Sequence, residues 1–510
     1  MKLRRLNEYQ KYRLLEMLPG TVVWLALISV VVLIFVKPLW MIYVAILFDL
    51  YWLLRVWYFI TYLTKSWLAY RKAAQIDWNA RVETHANWKE YKHLVFLPTL
   101  DEDIDIIRET LNAMKQSLFD TKQVYIVLAG EERQQEHFVP IADQLKAEYA
   151  DVFGGFLVTV HPKDIPGEIA AKGSNLHYAG GQAQTWVDSM GFDYAKVIVS
   201  AFDIDTIVHK QYFACLTAMY IEHPDPTRSS FQPLAVYNNN VWESFSFARV
   251  VANSTTFWLM AELARPKPLW TFSSHAMSFK ALVDVGFWQS DIVTEDSRIF
   301  LQCYLYYDGQ YEVTPMYIPV SMDTAHGGTL WGTMKNLYKQ QRRWAWGIEH
   351  FPFMIWHFRK NQLNPKKWHL LFNLTEGMFS WATAPLLITM LGYLPLWLIT
   401  PDDQATVIAQ TAPFILQWLM RLAMVGIIFS ATLNVYLLPR EIPGNRLLKV
   451  LIMILQWLML PIALIFFGSI PAIDAQTRML FGKYLGFYTA KKVRKEALPH
   501  HVEGGTGAPL

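Results

Sequence analysis

"KVIVSAFDIDT", residues 196–206, is the stretch of sequence from which the fold can be worked out. Its first half is apolar and rich in β-branched residues, and its second half carries Asp203 and Asp205. Two similar runs precede it, "HLVFLP" at 93–98 and "VYIVLA" at 124–129, with helical patterns between the runs. Apolar strands that alternate with helices are typical of a parallel sheet covered on both faces. The sequence therefore predicts an α/β domain that binds its ligands beyond the carboxyl ends of these strands.

The composition points to a membrane protein. Of the 510 residues, 53% are hydrophobic and only 17% are charged, whereas soluble proteins carry roughly a quarter charged residues. The formal charge of +3 is too small to indicate nucleic-acid binding. The two cysteines, Cys215 and Cys303, lack metal-ligand spacing, and we expect buried free thiols in a reduced compartment.

Apolar runs flank the predicted sheet on both sides. The run at 21–36 has no charged residue and is long enough for a bilayer core, and a second run at 39–63 follows almost at once. Basic residues precede the first run, which predicts a transmembrane hairpin with both ends in the cytoplasm. Further apolar runs lie at 370–399, 411–438 and 447–470.

The last of these runs leaves the topology open. Basic segments lie on either side of it, at 439–449 and 490–496. Both cannot be cytoplasmic if 447–470 crosses once. Pro461 could instead break this run into a re-entrant hairpin, which would place both basic segments on one side.

Two acidic pairs are candidates for chemistry. On an extended chain Asp203 and Asp205 point to the same side and could share a divalent cation, although such a pair also occurs in solvated loops. In "DIVTEDSRIF", Glu295 and Asp296 offer a carboxylate that could take a proton from an attacking hydroxyl. Alternatively, this pair is the acidic first turn of a helix that Thr294 caps.

The stretch "YKQQRRWAWG" at 338–347 combines basic, amide and aromatic side chains. If 331–347 is helical, Gln340, Arg343 and Trp344 lie on one face. Arginine binds phosphate through its fork of N–H groups, and an aromatic ring offers a flat platform for a sugar. A second face is suited to lipid headgroups; it comprises Lys335, Lys339, Arg342 and Trp346.

The order of these motifs resembles that of the membrane-embedded processive glycosyltransferases of family 2, which include the cellulose, hyaluronan and chitin synthases. The resemblance rests on Asp203-x-Asp205, Thr294-Glu295-Asp296 and Gln340-x-x-Arg343-Trp344, and it covers residues 91–350. It implies an α/β GT-A glycosyltransferase domain, with a mixed, mainly parallel sheet, inserted between transmembrane helices.

The resemblance also implies a role for individual residues. Asp296 would be the catalytic base, and Asp205 with Asp203 would hold Mg²⁺ or Mn²⁺. The donor nucleotide and diphosphate would contact Thr99, Glu102, Lys172, Asp203, Gln340 and Arg343. The acceptor would contact Trp344, Glu295, Ser274 and His275.

Two stretches depart from the family pattern. The second strand normally ends in two aspartates, but Glu131 and Glu132 occupy that region here. This weakens the choice of donor, for which a UDP-sugar is favoured over a GDP-sugar. Near the end of the chain, "GFYTAKK" partly matches a gating loop through Thr489 and Lys491; the alternative is a basic stretch resting on anionic lipid.

These patterns predict the following order along the chain: a cytoplasmic N-terminus and transmembrane hairpin (1–65), a cytoplasmic catalytic domain ending in an interfacial helix (66–350), an interfacial segment with three spanning helices or four half-helices (351–470), a gating loop or basic interfacial segment (471–496) and a disordered tail (497–510). We expect a multi-pass protein of the plasma, or inner, membrane.

The predicted activity is the inverting, metal-dependent elongation of a β-linked polysaccharide, with translocation of the growing glycan across the bilayer. The alternative is a non-processive transferase that adds one sugar to a polyprenyl phosphate or another lipid acceptor. A transporter with a nucleotide-binding domain is disfavoured because the sequence contains no Gly-x-x-x-x-Gly-Lys-Ser/Thr motif.

Overall fold

The computed structural model describes residues 7–265, 267–359, 366–438 and 445–486. The strands are β1 (Lys92–Pro98), β2 (Val124–Glu131), β3 (Gly155–His161), β4 (Val197–Ala201), β5 (Ile207–Val208), β6 (Ser229–Tyr237), β7 (Ala276–Ser278) and β8 (Glu312–Met322). The helices are α1 (Glu8–Val36), α2 (Pro38–Ala73), α3 (Trp78–Glu83), α4 (Ile104–Lys115), α5 (Gln135–Glu148), α6 (Lys172–Met190), α7 (Tyr212–Glu222), α8 (Ser246–Ala264), α9 (Phe279–Asp284), α10 (Glu295–Tyr306), α11 (Leu330–Ala345), α12 (His350–Phe358), α13 (Lys366–Leu398), α14 (Pro401–Gln404), α15 (Val407–Tyr436), α16 (Arg446–Leu455), α17 (Leu460–Leu464) and α18 (Ile470–Leu480).

The eight strands form one mixed sheet in the order β3-β2-β1-β4-β7-β6-β8-β5. The pairs β1–β2, β1–β4, β2–β3 and β6–β8 are parallel, while β7 and β5 pair antiparallel with their neighbours. The predicted mainly parallel sheet is therefore confirmed. Because β1, β2 and β4 lie side by side and run in the same direction, the segments that follow them meet at one edge.

Burial on both faces explains why these strands are continuously apolar. In β1, Leu94 and Phe96 pack into the cluster that contains α6 residues, whereas Val95 and Leu97 pack into the cluster that contains α4 and α7 residues. Successive side chains of a strand point to opposite faces, so most positions of a central strand are apolar when the sheet is covered on both sides. We call the sheet with its covering helices, from α3 to α12, the α/β domain.

Apolar helices flank the α/β domain at both ends of the chain, as predicted. Within the described ranges, five helical segments are long and apolar enough to cross a membrane: Glu8–Val36, Pro38–Ala73, Lys366–Leu398, Val407–Tyr436 and Arg446–Leu480. Only Lys37 separates the first two. Both cysteines are buried and free, as expected.

The structure contradicts a re-entrant hairpin at Pro461. The segment Arg446–Leu480 is helical throughout, with a 3-10 turn at Gln456–Met459 and a π-turn at Ile465–Ser469. Pro461 lies in the first turn of α17, where a missing backbone N–H costs little. The proline and the two irregular turns change the helix locally without reversing the chain.

Candidate active site

Lys172, the first residue of α6, joins three acidic side chains beyond the carboxyl edge of the sheet. Its Nζ donates to Asp203 Oδ1 at 2.8 Å and to the two carboxylate oxygens of Asp296 at 3.0 and 3.2 Å. It also lies 3.6 Å from Glu295 Oε1. Lys172 is only 8% exposed. Burial by itself lowers the pKa of Lys172, but the attraction of Asp203 and Asp296 outweighs it and raises that pKa, so the ammonium stays charged.

Gly173 allows α6 to approach the start of α10 this closely. A Cβ at Gly173 would lie 2.8 Å from the carbonyl oxygen of Gln289 and 3.1 Å from Glu295 Cβ. Any larger residue would push the two helices apart, and Lys172 would lose its reach. The pair Lys172-Gly173 therefore combines the charge and the close packing that this cluster needs.

Asp203 and Asp205 do not lie on an extended chain, which corrects the geometry expected from the sequence. Residues 203–206 form a turn in which the Thr206 N–H donates to the carbonyl oxygen of Asp203 at 2.9 Å. Asp203 faces Lys172, whereas Asp205 is buried and accepts from the Asp323 N–H at 2.9 Å. The two carboxylates thus have different surroundings, one partly exposed in the site and one set in the sheet edge.

The loop before β7 contains a site residue that the sequence patterns did not single out. Ser273 Oγ donates to Asp203 Oδ2 at 2.6 Å. Its neighbour Ser274, expected at the acceptor, is fully buried and hydrogen-bonds to Thr206 Oγ1 at 3.0 Å. Ser274 has a φ of +65°, a left-handed conformation uncommon for serine that turns the two adjacent hydroxyls in different directions. No periodicity or motif marks such a turn.

His275 is held neutral next to the charged cluster. Its Nδ1 lies 2.9 Å from the carbonyl oxygen of Phe272, which makes Nδ1 the protonated nitrogen. Burial lowers the pKa of His275, and the negative charge of Asp296 only partly opposes this. Within the described residues Nε2 has no hydrogen-bond partner, so it can accept a hydrogen bond from a hydroxyl.

Glu295 and Asp296 begin α10, as the acidic-first-turn interpretation predicts. The predicted cap is wrong, however, because the Thr294 hydroxyl donates to Glu349 and not to the helix backbone. Asp296 is partly exposed, whereas Glu295 is 1% exposed and neither of its carboxylate oxygens has a hydrogen-bond partner among the described residues. Burial, reinforced by the charge of Asp296, raises the pKa of Glu295 to about 8 despite the attraction of Lys172. Asp296, not Glu295, is therefore the carboxylate available to a substrate.

The ends of β1 and β2 form a second group of polar side chains. Glu102 accepts from the Thr99 hydroxyl at 2.7 Å and from the Leu100 N–H at 2.8 Å, which places the predicted nucleotide contacts Thr99 and Glu102 together. Glu131 pairs with Arg133, and burial raises the pKa of Glu131 although Arg133 opposes the shift. Asn175, four residues after Ala171, is buried and donates to the carbonyl oxygen of Ala129 at 2.8 Å, which is a structural role.

The helix α11 contributes the predicted face with Gln340, Arg343 and Trp344. Gln340 and Trp344 line a small cavity with Tyr237 and Asp323, and the Trp344 ring lies 6.0 Å from that of Tyr237. Arg343 is close enough for its charge to act on Glu295 and Tyr237. This face of α11 therefore borders the acidic cluster.

Two of the four residues on the second face, Arg342 and Trp346, are covered by protein, which corrects that part of the prediction, whereas Lys335 is exposed. Arg342 Nη1 lies 2.8 Å from Asp474 Oδ2 on α18, and Trp346 is 2% exposed. Tyr338 also donates to Asp474, at 3.0 Å. The helix α18 packs against Arg342, and the residue types on α11 alone do not show this contact.

The carboxylates of the site are the candidate ligands for a metal ion. Across the described ranges, no group of three or more His, Cys, Asp or Glu residues is arranged to hold a metal ion. Mg²⁺, however, is commonly held by one or two carboxylates together with substrate phosphates. Asp203, which is one-third exposed in the site, can supply one such carboxylate, whereas Asp205, two residues on, is buried beside it. Thr489 and Lys491 lie outside the described residues.

Comparisons with known proteins identify a family for most of the second half of the chain. A family model described as "Glycosyl transferase family group 2" matches residues 198–472, more than half of the chain. A mannosyltransferase from Pyrobaculum calidifontis, solved with GDP-Man and Mn²⁺, is 13% identical over 72% of this chain and 99% of its own, with a TM-score of 0.41. TarS 1–349 from S. aureus, solved with UDP-GlcNAc, is 14% identical over 68% of this chain and 91% of its own, with a TM-score of 0.34. No protein with a curated description matches the chain.

Proposed function

The chain belongs to glycosyl transferase family group 2, and we propose that it transfers a sugar from a nucleoside-diphosphate donor to the hydroxyl of a growing glycan. The observation that carries the proposal is the contact of Lys172 with both Asp203 and Asp296, beside the Arg343 face of α11. These groups come from separate parts of the chain and supply what a displacement at a sugar carbon needs. Lys172 and Arg343 can hold a diphosphate, and Asp296 is a carboxylate that can act as the base.

The donor side is cationic. Lys172 and Arg343 can bind the diphosphate, and Arg343 can do so through two parallel N–H contacts. Asp203 and Asp205 would hold Mg²⁺ or Mn²⁺ with the donor phosphates, and the bound metal would supply stabilisation of the charge on the leaving diphosphate. Thr99 and Glu102 lie at the ends of the strands where a nucleoside would bind, and a UDP-sugar is the favoured donor.

The acceptor side depends on Asp296. The acceptor oxygen attacks the anomeric carbon as the bond from that carbon to the diphosphate oxygen breaks, and the hydroxyl proton passes to Asp296. A single displacement inverts the carbon, so an α-linked donor gives a β-linked product. A donor diphosphate would attract Lys172 and free Asp296 for the proton. His275 Nε2 can accept a hydrogen bond from an acceptor hydroxyl, and Trp344 offers a stacking surface.

We further propose that the enzyme elongates a polysaccharide and moves it across the plasma membrane, with residues 66–350 as the cytoplasmic catalytic domain. A polar group between two apolar helices supports a path for the glycan: Glu376 on α13 accepts from Arg55 and Tyr51 on α2, each at 3.1 Å. Charged residues among apolar helices are costly and usually functional.

The test is nucleotide release by the purified full-length chain in nanodiscs, with Mg²⁺ or Mn²⁺ and a panel of UDP- and GDP-sugars. We expect one donor to give nucleoside diphosphate and a high-molecular-weight, glycosidase-sensitive product. Asp296→Asn should lower both by about 100- to 10,000-fold. The matched control is Asp291→Asn, the same change at an exposed carboxylate outside the cluster, which should retain activity.

The same assay distinguishes the two acceptor classes. Release that requires added polyprenyl phosphate, with a product carrying one sugar, would overturn elongation and support the single-sugar transferase. Release that is the same in wild type and Asp296→Asn would overturn the assignment of the base.

A further inference from the structure

Two segments that border the active site are joined by side chains that the proposed reaction does not itself use. The first segment is the start of α10, which carries Asp296. The second is the junction of α11 and α12, where the 3-10 turn Trp346–Glu349 is followed by His350. The contacts between the two segments set the position of Asp296 relative to the face of α11 that carries Arg343.

Arg298, two residues after Asp296, determines which nitrogen of His350 carries the proton. The Arg298 side chain is buried, with Cζ 3.9 Å from the centre of the Phe353 ring and Nη1 donating to Gln289 Oε1 at 2.8 Å. Its Nε donates to His350 Nδ1 at 3.1 Å. Because arginine can only donate, Nδ1 has no proton, and the proton of the neutral ring is on Nε2. Burial, reinforced by the charge of Arg298, holds the pKa of His350 well below its usual range.

The protonated Nε2 of His350 contacts the residue that follows the base. It donates to Ser297 Oγ at 2.7 Å, and the Ser297 hydroxyl donates in turn to the carbonyl oxygen of Thr294 at 3.3 Å. Trp270 stacks on the imidazole, with 5.8 Å between the ring centres. His350 therefore has one fixed orientation, in which it donates to Ser297 and accepts from Arg298.

A second set of contacts holds the same part of α10. The Thr294 hydroxyl donates to Glu349, and Trp346 Nε1 donates to the other carboxylate oxygen of Glu349 at 2.9 Å. In the loop before β7, Thr271 Oγ1 donates to the carbonyl oxygen of Asp296 at 2.6 Å. These contacts hold the backbone around Asp296 and leave its carboxylate to the site.

We propose that His350 is a positioning residue for the base, which it holds through Ser297 at a set distance from the Arg343 face of α11. This inference rests on the proposed transfer to a hydroxyl. The attacking oxygen and the leaving diphosphate lie on opposite sides of the anomeric carbon, so the base and the diphosphate-binding groups must keep one separation. A displacement of about 1 Å can cost on the order of 100-fold in rate. His350 itself does not touch the reacting atoms.

The test separates the two hydrogen bonds of His350. In His350→Gln the amide nitrogen takes the place of Nε2 and can donate to Ser297, whereas in His350→Asn the amide oxygen takes the place of Nδ1 and can accept from Arg298. Nucleotide-release kinetics of the full-length chain in nanodiscs should show kcat lowered about 30- to 100-fold in His350→Asn, with the KM for the donor within about twofold. His350→Gln should keep kcat within about threefold of wild type. The matched control is His137→Asn, the same change at an exposed histidine of α5, which should behave as wild type.

Thermal unfolding midpoints distinguish positioning from a loss of packing. His350→Gln removes the acceptor for the buried, charged Arg298, so it should lower the midpoint at least as much as His350→Asn does. Activity and stability are then expected to change in opposite order in the two variants. If kcat instead follows the midpoint, His350 only stabilises the fold and the proposal is wrong.

A double variant tests the route through Ser297. Ser297→Ala removes the acceptor of the Nε2 proton and should lower kcat about as far as His350→Asn does. Combining the two changes should cause no further loss, because both break the same contact. Losses that multiply would contradict this route. If wild type releases nucleotide from none of the donors, the proposed function fails; an active wild type whose kcat is unchanged in His350→Asn would overturn this inference alone.

Discussion

The two faces of α11 use the same residue types for different purposes. Arg343 borders the acidic cluster, whereas its neighbour Arg342 points to α18 and pairs with Asp474. Trp344 packs near Tyr237 at the site, whereas Trp346 is buried between α11 and the apolar helices. Adjacent residues on a helix point about 100° apart, so a single stretch can serve a substrate on one side and a structural contact on the other.

The largest expected effect is a difference in kcat/KM between the alanine variants of Arg343 and Arg342. Arg343→Ala should lower kcat/KM at least about 100-fold, because it removes a cation that stabilises the leaving diphosphate. Arg342→Ala should keep kcat/KM within about fivefold, since it loses only a partly exposed ion pair. Nucleotide-release kinetics on both variants check this, and equal losses would mean that the faces do not differ.

The second prediction concerns the pH dependence of stability, because the face of α11 with Arg343 lies near the buried carboxyl group of Glu295. In the folded protein the pKa of Glu295 is raised to about 8, while an unfolded glutamate titrates near 4.5. Between these values the folded state keeps a proton that the unfolded state has lost, so stability falls as pH rises from about 4.5 to about 8. The expected slope from this group is up to about 1.4 kcal/mol per pH unit.

The control for this prediction is Glu295→Gln, which keeps the size of the side chain but cannot ionise. Thermal unfolding midpoints at a fixed scan rate, from pH 5 to 8, should fall less steeply for Glu295→Gln than for wild type. Arg342→Ala should keep the wild-type slope. Parallel curves for wild type and Glu295→Gln would show that Glu295 does not titrate in this window.

The two tryptophans should differ in product length. Trp344→Ala removes the proposed stacking surface, and we expect about tenfold weaker elongation with shorter glycans, judged by gel filtration of labelled product. Trp346→Phe should leave product length unchanged and lower the unfolding midpoint, because it removes the indole N–H that donates to Glu349. Shorter glycans from Trp346→Phe alone would reverse the roles of the two faces.

The smallest expected effect tests the contact between α11 and α18. Arg342→Ala and Asp474→Asn each remove one partner of the ion pair, and their double variant should be less destabilised than the sum of the two. We expect a coupling of about 0.5–1 kcal/mol, as for partly exposed pairs. Additive effects would show that the pair contributes nothing measurable to the position of α18.

Local patterns in the sequence were sufficient for the sheet and for several of the side chains that meet at its edge. The strands at 93–98 and 124–129 were predicted because burial on both faces requires an unbroken apolar run, and the polar residues beyond them follow from that. Asp203, Asp296 and the face with Arg343 were singled out by residue type and helical spacing. The confirmed elements are those whose evidence lies within about ten residues of chain.

What the tertiary structure alone decided depends on contacts between distant residues. Lys172 meets Asp203 and Asp296 across 31 and 124 positions of chain, and the turn at 203–206, with the conformation of Ser274, directs Ser273 to Asp203. Composition measures how apolar a helix is but not what covers it, so it could not show that α18 covers Arg342. The sequence determined which residues can bury, ionise or stack, whereas packing decided which of them meet, because burial and pairing are properties of neighbours brought together by the fold.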